Sequence, residues 1–261
     1  MATEALLSCR EVTVRFGGIV ALDSVSFDVP AGSIYGLIGP NGAGKTTLFN
    51  CLSRLYRYQS GDLLFRGASM SGLSSHDIAR LGIGRTFQNL AMFATMSVER
   101  NIMVGAHCRS AAGFVASALR TPAVRREEER LLARAGEIID YLGLGAVRHT
   151  AVAQLPFGVQ KRVELGRALA ADPTLLLLDE PAAGLGHEEL AGLGALIRDI
   201  RDRLSITVLL VEHHMNLVMS VCDRIAVLNF GRRIAEGTAD EVQGHPDVIA
   251  AYLGAAHAKA A

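Results

Sequence analysis

The nonapeptide GPNGAGKTT, Gly39 to Thr47, follows the apolar run IYGLI and precedes a stretch of helical character. It matches the pattern G-x-x-x-x-G-K-[ST], and the strand–loop–helix context is the one in which that pattern binds phosphate. Glycines let backbone N–H groups turn inward on an anion, and the helix N-terminus behind them adds its partial positive charge. The loop residues Gly39, Pro40, Asn41, Gly42, Ala43 and Gly44 form the cradle, with Thr47 closing it. Lys45 supplies a point charge to the β- and γ-phosphates, and the Thr46 hydroxyl is placed to hold Mg²⁺. A chain with this element is committed to an α/β domain with a buried strand leading into the loop.

The rest of the sequence agrees with that architecture. Val12, Val14 and Phe16 alternate with Thr13 and Arg15, and Val25, Phe27 and Val29 alternate with Ser26 and Asp28, before Pro30-Ala31-Gly32 turns the chain. Residues 33–38 read as a continuously apolar, buried parallel strand. A helix is expected from about 45 to 56 and a strand over 62–66. In RREEERLLARAGEIIDYL, Leu131, Leu132, Ala135, Ile138, Ile139 and Leu142 recur at spacings of three and four, so one helix face is apolar and the charges lie opposite. A second helix is expected over 155–169. Strand 174–178, helix 190–204, strand 206–211, helix 215–221 and strand 224–228 then alternate as βαβ units do. The small-residue tail AAHAKAA is expected to fray.

Half of the 261 residues are apolar and the formal net charge is zero. That argues against a general nucleic-acid binder, which normally shows basic excess. No apolar run approaches the ~18 residues of a membrane span, and the N-terminus lacks a basic start and long apolar stretch, so a soluble cytoplasmic protein without a signal peptide is expected. Cys9, Cys51, Cys108 and Cys222 lie far apart without paired spacing, which points away from zinc or redox chemistry.

Two further strand ends carry chemistry. TLLLLDEP places Asp179 and Glu180 at the carboxyl end of a hydrophobic strand, where open α/β sheets bind ligands. Asp179 is suited to hold Mg²⁺ and Glu180 to polarise the water that attacks the γ-phosphate. VLLVEHHM places His213 at the end of the next strand, within range of the same phosphate.

GPNGAGKTT, RTFQN, LPFGVQKR, LLLLDEP and VEHH stand in the order of an ABC-transporter ATPase, and the resemblance runs through nearly the whole chain. GPNGAGKTTLFNCL, IARLGIGRTFQNLAMFATMSVERNI, LLLLDEPAAGL, the closing DVIAAYLG and an insertion near 105–130 resemble the longer ATPase subunit of branched-chain amino acid uptake systems. The resemblance implies one α/β phosphate-loop NTPase domain over 1–261, with a RecA-like parallel-sheet core, an N-terminal antiparallel β subdomain and an α-helical subdomain at about 90–170. It implies a flexible tail from about 255. It implies ATP and Mg²⁺ as cofactors, Phe16 stacking on adenine, and Gln88 linking Mg²⁺ and the attacking water to the membrane subunits. His213 becomes the switch histidine on the γ-phosphate. The loop 155–160 becomes the signature loop, with Gly158 contacting ATP held by a partner cassette. The partners are a second ATPase subunit, head to tail and of a different chain, two membrane permeases and, indirectly, a periplasmic binding protein. The location is peripheral, on the cytoplasmic face of the inner membrane.

Several positions depart from the family pattern. Pro156, Phe157 and Val159 replace the usual serine, glycine and glutamine of the signature, Gly186 stands where an acid or its amide is usual, and His214 follows the switch histidine in place of aspartate. Pro156 brings neither hydroxyl nor N–H to a phosphate. The expectation is a working ATPase with weakened contacts across the dimer. Import of urea, amides or other amino acids, lipopolysaccharide export and a weakly hydrolysing regulatory subunit are the alternatives; a ribosome- or DNA-directed ABC protein is disfavoured by the single cassette.

Overall fold

A computed structural model describes residues 5–86, 92–107 and 122–258. They form two compact units, Met1–Ile78 with Leu177–Ala261, and Ala79–Leu176.

The first unit begins with a long hairpin, β1 (Ala5–Phe16) and β2 (Ile19–Pro30), paired antiparallel. β1 is longer than its alternation suggests because a bulge interrupts it: Glu11 sits at φ 49° and the register shifts between Cys9 and Val12. An extra residue reverses which side chains face inward, so the period breaks halfway along one continuous strand. β3 (Ile34–Ile38) is buried at all five residues, as its unbroken apolar run predicts. Helix α1 (Lys45–Leu52) follows the glycine loop and stops earlier than expected, because Ser53 caps it and Arg54 takes a left-handed backbone (φ 55°). β4 (Ser60–Phe65) and the short β5 (Ala68–Ser69) complete an antiparallel sheet in the order β2-β1-β4-β5.

The second unit opens with the end of α2 (Ser75–Arg80) and contains β6 (Ile83–Arg85), α3 (Val98–Ala106), α4 (Pro122–Tyr141) and α5 (Phe157–Ala170). α3 packs on both α4 and α5. Ala135, Ile138, Ile139 and Leu142 are buried, as their spacing foretells. Most of the insertion near 105–130 lies outside the described residues. Pro156 is the N-cap of α5 rather than a residue of its first turn, and its carbonyl accepts from Val159 N and Gln160 N, both at 3.0 Å.

β7 (Leu175–Asp179) leads back to the first unit, which continues with α6 (His187–Leu204), β8 (Thr207–Val211), α7 (Met215–Val221), β9 (Arg224–Asn229) and β10 (Arg232–Gly237). The strand order is β10-β9-β3-β8-β7. β3 runs parallel to both β8 and β9, while β10 is antiparallel to β9. Each parallel strand therefore delivers its carboxyl end on the same side of this sheet as the glycine loop.

α8 (Ala239–Gln243) and α9 (Pro246–Ala258) close the chain. α9 reaches Ala258, and the expected fraying of the last residues, 259–261, falls outside the described residues. Tyr252, from the closing DVIAAYLG, packs on the cluster of Ile38, Val218, Ile225, Val227, Val242 and Val248, and burial pushes its phenol up to about 12. Cys9, Cys51 and Cys222 carry free thiols, and burial raises them to about 12, 11 and 12. A raised pKa keeps a thiol protonated at neutral pH, and Cys108 lies outside the described residues. Among the described residues, no helix is long and apolar enough to cross a membrane.

Candidate nucleotide site

The glycine loop is held from behind as well as by its own turn. Gly39 lies at φ 152°, and a side chain there would meet the Leu228 carbonyl oxygen at 2.1 Å. Gly44, at φ 103°, caps α1 and presses against the Ala21 carbonyl, 2.5 Å from where a Cβ would stand. Ala43 N donates to Pro40 O at 3.2 Å, and Gly231 N donates to Ala43 O at 3.0 Å. The loop is thus clamped between β9 and β2, which pre-shapes it for an anion. At Gly42, by contrast, nothing lies within 4 Å of the place a methyl group would take, so that part of the loop faces open space.

Lys45 is buried and its ammonium folds back on the loop, donating to Gly39 O at 2.6 Å and Pro40 O at 3.0 Å. Burial lowers its affinity for a proton, while the charges of Glu180 and Asp179 raise it. Lys45 therefore lies within electrostatic range of both acids, which the sequence could only place at the ends of separate elements. Thr46 is exposed at the start of α1, and Asp179 is buried (2% exposed) at the end of β7. A hydroxyl and a carboxylate are hard oxygen donors, and that donor set fits Mg²⁺.

Glu180 adopts a left-handed backbone at φ 48°, an unfavourable conformation for a side chain of this size, and such strain collects at functional positions. Its N–H donates to Val211 O at 2.9 Å, which ties the end of β7 to the end of β8. His213 follows directly: its Nδ1 lies 3.8 Å from Glu180 Oε2, and the ring is half exposed. The structure thus places Glu180 and Asp179 within electrostatic range of Lys45, and His213 beside Glu180.

Phe16 is 47% exposed and does not join Val12 and Val14 in the core. Its ring meets Tyr56 edge-on, with centroids 5.3 Å apart and planes at 74°. An exposed, braced aromatic at the end of β1 is suited to stack on a flat ring. Tyr56 is a residue that sequence reasoning missed, since only the turn after α1 brings it beside Phe16. Gln88 lies outside the described residues. In the second unit, Leu155 O accepts from Gln160 Nε2 at 2.8 Å, and Lys161 Nζ lies 5.8 Å from the centre of the exposed Phe157 ring. Gly158 is the second residue of α5, by position among the helix N–H groups that lack an intrahelical acceptor. Gly186 serves as the N-cap of α6, where the Glu189 carboxylate accepts from its N–H at 2.9 Å.

A parallel sheet whose strand ends converge on a glycine-rich loop, a buried lysine and two acids defines a phosphate-loop nucleotide-binding protein. Comparison with known proteins narrows this class. The family model "ABC transporter" matches residues 22–183, and the model "Branched-chain amino acid ATP-binding cassette transporter" matches residues 232–258. The chain is 41% identical over 254 residues to the high-affinity branched-chain amino acid transport ATP-binding protein LivG of Salmonella typhimurium, covering 97% of this chain and all of that one. It is 41% identical over 251 residues to BraF of Pseudomonas aeruginosa, which carries the same description, covering 96% and 98%. A crystal structure of an ABC-transporter ATP-binding cassette in its ADP conformation superimposes with a TM-score of 0.84 at 29% identity, covering 97% of this chain and all of that one. The chain belongs to the ABC transporter family, as an ATP-binding cassette with ATPase activity.

Proposed function

We propose that this chain is the ATP-hydrolysing subunit of an importer for branched-chain amino acids, working through membrane permeases. The observation that carries the reading is the match to both LivG and BraF over essentially full length, which extends through the C-terminal segment matched by the branched-chain family model.

In this reading Phe16, braced by Tyr56, stacks on adenine, and the backbone of Gly39 to Thr47 wraps the phosphates. Lys45 exchanges its contacts with the Gly39 and Pro40 carbonyls for the β- and γ-phosphates. Thr46, Asp179 and Gln88 hold Mg²⁺, which when bound neutralises charge between the phosphates. Glu180 accepts a proton from the attacking water, and His213, beside it, contacts the γ-phosphate. ATP binding closes two cassettes head to tail, and hydrolysis reopens them. The partner cassette is a different chain, two permeases dock on the region after Gln88, and a periplasmic protein delivers the amino acid. The chain acts at the cytoplasmic face of the membrane.

Gly158 and the N-terminus of α5 contact ATP held by the partner, and Pro156 fits because an N-cap position asks no N–H of it. Gly158→Leu is therefore expected to abolish hydrolysis in the assembled transporter, while Pro156→Ser retains it. Phosphate release from reconstituted complexes checks both, and equal activity of the two variants would remove the signature role. Uptake in a strain lacking this gene tests the substrate. Loss of leucine, isoleucine and valine uptake is expected; unimpaired uptake of these with loss of urea or amide uptake would redirect the assignment.

A further inference from the structure

Between the Glu180 turn and His213 stands a carboxylate whose importance the sequence pattern hides. Glu212 ends the run VLLVE and is completely buried. Its Oε1 accepts from Ala182 N at 3.0 Å. Its Oε2 accepts from His213 N at 2.6 Å and His214 N at 2.9 Å, and lies 3.1 Å from His214 Nδ1. Taking a carboxylate out of water is costly and persists only where hydrogen bonds replace the lost hydration. Here they do, and they come from two different turns.

The arrangement has a specific consequence. Ala182 belongs to the turn that begins at Glu180, which Ala183 N closes by donating to Glu180 O at 3.1 Å. His213 and His214 form the turn after β8. One carboxylate oxygen serves each turn, and the Glu180 N–H to Val211 O bond adds a second link between them. The ligand atoms of Glu212, His213 and His214 all lie within 4.8 Å of one another, as a metal cage would require. Yet Oε2 already receives two backbone N–H groups and faces the Nδ1 atoms of His214 at 3.1 Å and His213 at 3.5 Å, so its acceptor positions are taken. The cluster is a hydrogen-bonded node.

We infer that Glu212 is a positioning residue for ATP hydrolysis: it fastens the turn carrying Glu180 to the turn carrying His213, so that the two move as one body. The inference rests on the roles proposed above for Glu180 and His213. It also accounts for His214, which departs from the family pattern. That ring packs on His213, at 4.4 Å between centroids, while its Nδ1 engages Glu212. Only a carboxylate suits this place, because every backbone group that faces it is a donor. An amide would turn its NH₂ toward at least one N–H, forcing one turn away.

Glu212→Gln in the full-length chain, assembled with its permeases in liposomes, tests this. A displacement of about 1 Å at a reacting group costs on the order of 100-fold, so kcat is expected to fall by about that factor. KM for ATP and the binding of a fluorescent ATP analogue are expected to stay close to wild type, because the glycine loop and Phe16 are untouched. The Glu180→Gln, Glu212→Gln double variant is expected to be no slower than Glu180→Gln alone, since both act on one step. A wild-type kcat in Glu212→Gln, additive losses in the double variant, or a loss of turnover together with nucleotide binding would overturn the inference. A Glu180→Gln protein that turns over normally would instead overturn the reading on which it rests.

Discussion

Glu180→Gln is expected to lower ATP turnover by about 10³-fold, within the range that general-base catalysis supplies, while ATP binding is retained. The substitution keeps the size of the side chain and removes its capacity to take a proton. The left-handed backbone at this position and the hydrogen bond from Glu180 N to Val211 O do not depend on the carboxylate, so the turn is expected to survive. Lys45 would lose one of the two negative charges that hold its proton, but burial and Asp179 remain. Single-turnover phosphate release and equilibrium binding of ATP separate the two effects. Turnover within a few-fold of wild type would exclude Glu180 as the base.

Gly39→Ala is expected to damage both the fold and nucleotide binding. The φ of 152° is one that side-chain-bearing residues rarely adopt, and the new methyl would stand 2.1 Å from the Leu228 carbonyl oxygen, a backbone atom of β9 that cannot swing aside. Strain of this kind costs ~1–3 kcal/mol before the overlap with backbone is added, so a loss of on the order of 3 kcal/mol or more is expected. Since the β3–β9 pairing ends at Ile38 and Val227, one residue before this contact, relief of the overlap would shift the loop that shapes the candidate phosphate site. Gly42→Ala is the contrast: φ is +80°, but the space around it is open, so only the left-handed penalty of about 1–2 kcal/mol applies. Urea denaturation midpoints with and without ATP check both, and an equal cost at the two positions would refute the close-packing argument.

Most of the candidate phosphate site is legible in the amino-acid sequence because its determinants are local. A glycine loop between an apolar strand and a helix specifies its own backbone, so Gly39, Gly44, Lys45 and Thr46 stand where the pattern puts them. Asp179 and Glu180 are legible for a related reason, since a run of four leucines, 175–178, places the polar residues that follow it at the strand end. The extent of β1 is not legible, because the bulge at Glu11 inverts the inside–outside alternation on which strands are recognised. β10 escapes notice because RRIAEG, with its charged residues, carries no strand period. Phe16 admits two readings in sequence, as a core residue with Val12 and Val14 or as a stacking surface. Its exposure against Tyr56 favours the second.

Glu212 shows the boundary most clearly. In sequence it is one acid after an apolar strand, indistinguishable from a solvated residue. In the fold it is a buried charge joining two turns 30 residues apart. By itself the sequence determined the class of fold, the phosphate loop and the strand ends that carry the acids, because periodicity and loop chemistry are written in neighbouring residues. The meeting of Lys45 with Glu180, the bracing of Phe16 by Tyr56 and the node at Glu212 were decided by tertiary structure alone. Each depends on hydrogen bonds, charge and packing between segments far apart in the chain, and no local pattern encodes which distant segments will meet.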